Sequence, residues 1–139
     1  MEMVELLVQD GVVANLKASS KKQALQELSQ QAASLTGLHK RVIFDVLLQR
    51  EKLGTTGIGR GIAIPHGKMQ ELERLHGLFA RLPKPIDFDA IDERPVDLIF
   101  LLLAPESAGA DHLKALARIS RLLRDETVCE KLRGADDPE

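Results

Sequence analysis

The sequence has no tryptophan and no tyrosine, and its four phenylalanines bring the aromatic share to only 3%. Modules that stack on unpaired bases need aromatic platforms, so that class of nucleic-acid binding is excluded. A dominant sign of charge is also missing. The 19 Lys and Arg stand against 21 Asp and Glu, for a net charge of −2, which offers a polyanion no basic footprint. The one cysteine, Cys129, excludes an intrachain disulfide and a thiolate zinc cluster, and fits a reducing cytosol. The longest strongly apolar run, Leu98–Ala104, falls far short of the ~20 residues needed to cross a bilayer. Met1 leads into the acidic Glu2 and Glu5, without the basic-then-apolar pattern of a signal peptide. A cytoplasmic protein is expected, with no nucleic-acid partner and no membrane insertion.

What is present suits a packed core. Hydrophobic residues make up 44% of 139 positions, which fits one globular domain over residues 1–139, given roughly 100–200 residues per domain. Ser20, with Gln23 three residues on, reads as a capping box. Ala24, Leu25, Leu28, Ala32 and Leu35 then recur at helical spacing up to Gly37. A second helix is predicted over 39–53, with Val42, Ile43, Val46 and Leu47 as its stripe, Gly54 as its stop, and Arg50 and Glu51 in its last turn. Ile62–Ile64 is a short strand candidate, Leu78–Leu82 alternates weakly, and Val96–Leu103 reads as a buried central strand. The intervening PKPIDFDAIDERP reads as a turn-laden connection. Asp111 is placed as the cap of a third helix, with Leu113, Leu116, Ala117, Ser120 and Leu123 on one face. A short last helix over 126–133 carries Cys129, expected as a small buried residue, and Leu132. Helices alternating with strands define an α/β fold.

Residues 50–68, REKLGTTGIGRGIAIPHGK, hold five of the ten glycines and end near His66 behind Pro65. They do not form a nucleotide loop. Gly61 stands one residue too far from Gly67 and Lys68 for a P-loop, and Met69 replaces the magnesium-binding hydroxyl. The dinucleotide pattern fails because Gly57-Ile58-Gly59 is followed by Arg60, Gly61 and Ile62. His39, His66, His76 and His112 never sit four apart around a glutamate, so no metal site is expected. His39 and His76 are expected to be solvated. For His66 two readings stand level on residue chemistry. It is a strand-end histidine bonded to a backbone carbonyl, or a nucleophile aimed by Pro65 toward an anion that the glycine backbone can approach.

The segment GTTGIGRGIAIPHGK resembles the phosphorylation-site signature of the IIA domains of the bacterial phosphoenolpyruvate-dependent sugar phosphotransferase system. Within the fructose/mannitol class (EIIA type 2) it is most similar to the nitrogen-regulatory branch. The likeness covers nearly the whole chain, through LLQREKLGTTGIG, GIAIPHGK, IDFDAIDERPVDLIFLLLAPE and DHLKALARISRLLRD in order. It implies a three-layer domain, a mixed sheet flanked by helices on both sides. It further implies a helix beyond the LRGA segment, where this sequence ends at Asp136-Asp137-Pro138-Glu139; either that helix is truncated or this member is a short one.

The resemblance also implies chemistry, a phosphotransferase component with a phosphohistidine intermediate. His66 accepts a phosphoryl group on Nε2 from a small phosphocarrier protein (HPr- or NPr-like), with no cofactor, nucleotide or metal. Arg50 matches the family's arginine and would grip phosphoryl oxygens with its guanidinium fork. His112 matches a second histidine, expected neutral in the first turn of its helix. Thr56 offers a hydroxyl to the phosphoryl group, while Gly57, Gly59 and Gly61 shape the loop. Phosphorylation state would then act as a signal to a downstream transporter or sensor kinase. The alternatives are a transport component that passes phosphate to a separate IIB domain, a binding module that never carries phosphate, and a hydrolase using His66 as general base.

Overall fold

The structure, a computed structural model, describes residues 12–13, 16–70, 72, 76–105 and 110–123. Two helices come first after the short strand β1 (Val12–Val13): α1 (Lys21–Thr36) and α2 (Lys40–Leu53). Ser20 accepts the Gln23 N–H and Gly37 closes α1 with a left-handed φ of 77°. The box is not reciprocal at Ser20, however. The Gln23 Oε1 accepts from the backbone N–H and the hydroxyl of Ser19, both at 2.8 Å. His39 caps α2, its Nδ1 accepting the Arg41 N–H.

Five further strands complete the sheet: β2 (Gly57–Gly59), β3 (Ile62–Ala63), β4 (His66–Met69), β5 (His76–Ile86) and β6 (Val96–Pro105), followed by α3 (Ala110–Leu123). The order is β1-β5-β6-β3-β2, with β4 also paired to β6. β5 and β6 are antiparallel, whereas β3 and β4 both run parallel to β6, so the sheet is mixed. β3 and β4 hold one register: Ile62 faces Leu98 and His66 faces Leu102 at the same offset. Between them Pro65 keeps one bond to β6, its carbonyl accepting the Leu102 N–H at 3.0 Å. Proline has no N–H to give, and the Ile64 N–H goes to the Thr56 carbonyl at 3.0 Å.

β6 is buried on both faces, as a central strand with helices on either side should be. Ile99, Leu101 and Leu103 pack in one core with Leu25, Leu28, Ile43 and Leu47 of the first two helices. Leu98, Phe100 and Leu102 alternate to the opposite face and are equally buried, as are Ile119 and Leu123 of α3. Gly67 is where α2 meets β4: a Cβ there would stand 2.5 Å from Val46 Cγ1.

Four expectations need correction. β5 runs through Pro83 and Pro85 to Ile86, where a turn-laden connection was expected; the ladder is irregular between Arg81 and Ile86 and those prolines are exposed, so their missing donors leave no buried gap. Asp111 is the second residue of α3 rather than its cap. On α3, Leu123 is buried as expected, but Ala117 is exposed and Ile119, which was not placed on that face, is buried. His76 opens β5 and is half-buried rather than solvated. The side chains of Leu35, Leu113 and Leu116, and the expected helix over 126–133 with Cys129 and Leu132, lie outside the described residues.

Candidate functional site

His66 is the first residue of β4 and follows Pro65. His66 Nδ1 stands 2.9 Å from the Ile64 carbonyl. On the other side of the ring, Arg50 Nε donates to Nε2 at 3.2 Å. The two partners settle the tautomer. A carbonyl can only accept, so Nδ1 carries the proton; a guanidinium can only donate, so Nε2 presents its lone pair. The carbonyl bond of the strand-end reading is thus present, and it leaves the bare Nε2 that the nucleophile reading requires.

Burial lowers the pKa of His66 from its ordinary value; the Ile64 carbonyl opposes this, the Arg50 charge adds to it, and the Glu51 charge opposes it. The net effect favours the neutral ring, the form with a nucleophilic nitrogen. Arg50 reaches the ring from the last turn of α2 and is steadied by Nη1 donating to the Gly54 carbonyl at 2.9 Å.

Beside Arg50, Glu51 is buried, its side chain 3% exposed. It accepts the Thr56 N–H at 3.0 Å and the Thr56 hydroxyl at 2.6 Å, and pairs with Lys21 Nζ at 3.0 Å. The hydroxyl expected to meet a phosphoryl group is thus committed to Glu51, and Thr56 itself is buried. Thr55 donates its hydroxyl to the Phe88 carbonyl and accepts the Gly57 N–H, each at 3.0 Å. The glycines build the β2–β3 hairpin. A Cβ on Gly57 would meet Ala90 Cα at 2.9 Å, and Gly59 and Gly61 have φ of 104° and 79°. Arg60 sits between them at φ 58°, its N–H bonded to Asp92 Oδ2 at 2.9 Å.

The structure therefore brings together His66 and Arg50. His112 occupies the third position of α3, in the first turn, and its side chain lies outside the described residues. The sequence reading missed Glu51 and Lys21. A signal for Glu51 was available: Ile43, Leu47 and Glu51 recur every four residues, so a carboxylate stands on a buried stripe. A charge there demands partners.

Residues 5–139 match the family described as phosphoenolpyruvate-dependent sugar phosphotransferase system, EIIA 2. The chain belongs to that family of phosphotransfer components. More narrowly, it is 61% identical over 137 residues to the nitrogen regulatory protein of Bradyrhizobium diazoefficiens, covering 99% of this chain and 90% of that one. The crystal structure of the nitrogen regulatory protein IIA-Ntr from Neisseria meningitidis superposes with a TM-score of 0.87 at 36% identity, covering 91% of this chain and 86% of that chain. The mannitol enzyme IIA of Escherichia coli, solved in complex with phosphorylated enzyme IIB, shares the fold at 22% identity. Its TM-score is 0.74, over 91% of this chain and 87% of that one. The resemblance to the nitrogen-regulatory branch and the α/β fold are both borne out. Among the described residues no helix is long and apolar enough to cross a membrane.

Proposed function

We propose that the chain acts as one cytoplasmic phosphoryl-relay domain and that His66 Nε2 is the acceptor. The observation that supports this most is the pair of opposed hydrogen bonds on the ring. One leaves the proton on Nδ1 and the other points the bare nitrogen at a guanidinium. The donor is the phosphohistidine of a small HPr- or NPr-like carrier. The Nε2 lone pair attacks phosphorus, the phosphorus–nitrogen bond to the carrier breaks, and its electron pair returns to the carrier's ring. Arg50 moves from the lone pair to the phosphoryl oxygens, whose planar array its fork matches. The proton stays on Nδ1, donated to the Ile64 carbonyl, which helps stabilise the charge that the ring gains. Such a transfer rests on alignment and charge stabilisation, not on a cofactor. His112, in the first turn of α3, is proposed as a second donor to the phosphoryl group.

The nitrogen-regulatory relatives favour signalling over transport. Phosphorylation adds roughly two negative charges at the site and can switch a docking surface for a transporter or sensor kinase. The test is reconstitution with the carrier, its kinase and phosphoenolpyruvate, followed by intact mass. One phosphate is expected on the wild type and none on His66→Ala. Equal labelling of His66→Ala overturns the assignment.

A further inference from the structure

The stripe of α2 ends in a buried carboxylate, and the contacts of that carboxylate extend to both partners of His66. Glu51 holds Thr56 by two hydrogen bonds, one from the backbone N–H and one from the hydroxyl. Lys21 at the start of α1 supplies the countercharge, with its ammonium 4.9 Å from the centre of the Phe88 ring. From Thr56 one route runs through its carbonyl, which accepts the Ile64 N–H at 3.0 Å, to the Ile64 carbonyl that holds Nδ1. The other runs through the loop between Glu51 and Thr56. Its Gly54 carbonyl anchors Arg50, and its Gly54 N–H is bonded to the Glu51 carbonyl at 3.1 Å.

We infer that Glu51 is a positioning residue, which through Thr56 sets both the bare nitrogen of His66 and the place of the Arg50 guanidinium. The competing role is a buried ion pair that holds α1, α2 and the loop together and does nothing more. The two differ in what the ring reports. A purely structural clamp changes stability alone, whereas a positioning clamp changes the tautomer of His66 and its reactivity. Glu51 also contributes a negative charge that favours the protonated ring, so its removal is expected to lower the pKa of His66 further.

The experiment uses the full chain with ring nitrogens labelled, and potassium phosphoramidate as a small phosphoryl donor that needs no protein partner. Thr56→Val removes the 2.6 Å hydroxyl bond and keeps the backbone one; Glu51→Gln keeps the shape and removes the charge. Both are expected to raise the fraction of the Nε2–H tautomer and to slow phosphorylation of His66 by about 10–100-fold, the scale of a small misplacement of reacting groups. Thr56→Ser is expected to recover most of what Thr56→Val loses. Wild-type tautomer and rate in folded Thr56→Val and Glu51→Gln overturn the inference. Should Glu51→Gln not fold, Thr56→Val with its serine rescue decides it. The rate rests on His66 being the phosphoryl acceptor, but the tautomer does not. A wild type that never takes up phosphate sinks the relay reading while the ring spectra still judge Glu51.

Discussion

At His66 the nitrogen left without a proton is chosen by two neighbours of opposite character, a carbonyl on Nδ1 and a guanidinium on Nε2. Burial is the largest cause of the lowered pKa and the cation at Arg50 adds to it, so the ring should titrate below the ordinary value of 6.5. Proton titration of the ring by NMR checks this directly, and a midpoint at or above that value contradicts it. The consequence for stability has a definite sign. Between the folded and unfolded values the unfolded chain binds a proton that the folded ring refuses. The contribution of His66 is thus present above about pH 6.5 and is lost as pH falls toward the folded value. Arg50→Ala should move the midpoint up, since it removes a repelling charge. It should also slow phosphoryl uptake by ~10²-fold, the usual cost of losing one donor to a developing anion. A variant with unchanged rate would mean that the guanidinium only caps the end of α2.

At the scale of elements, the distance between α2 and β4 determines whether Arg50 reaches the ring. Gly67 permits that approach because it has no Cβ to meet Val46. Gly67→Ala should therefore cost about 1–3 kcal/mol in unfolding free energy, as overpacking does, and should loosen the Arg50–His66 contact. Adding Val46→Ala should recover stability, and denaturant melts of the single and double variants give the comparison. No recovery would place the cause outside the α2–β4 contact. The elements themselves were unevenly legible. Ser20, Gly37 and Gly54 marked helix ends because caps and left-handed turns are local chemistry. β4 was not read as a strand, since its alternation, Gly67 and Met69 buried around an exposed Lys68, spans only the four residues that pair with β6. β5 passes through two prolines because its place in the sheet outweighs local propensity.

For the whole molecule, the proposed relay requires a face on which a carrier could dock. Leu53 is 85% exposed at the end of α2 and Ile91 is 73% exposed, its N–H bonded to the Gly57 carbonyl. Both flank the loop that carries Gly54 and Thr56, and exposed apolar groups beside a reactive centre suit a transient partner. Leu53→Asp and Ile91→Asp should raise the KM for a phosphorylated carrier about tenfold while leaving uptake from phosphoramidate alone, since neither group is placed at the ring. Equal loss with both donors would move these residues from docking to the integrity of the site.

The linear order of residues drew attention to His66 through its glycine-rich setting behind Pro65, while Arg50 stood out only through the resemblance to the family, since an arginine at a helix end is ordinarily a solvated cation. It also sufficed for the central strand, whose continuous apolar run has few other solutions. Only the folded chain decided that Thr56 faces a carboxylate rather than a phosphoryl group, and which partners Glu51 meets where the α2 stripe buries it. Those facts depend on Lys21, Thr56 and Ile64, which converge from separate segments. Hydrogen bonds and ion pairs between distant segments leave no periodic trace in a sequence, since they are set by packing.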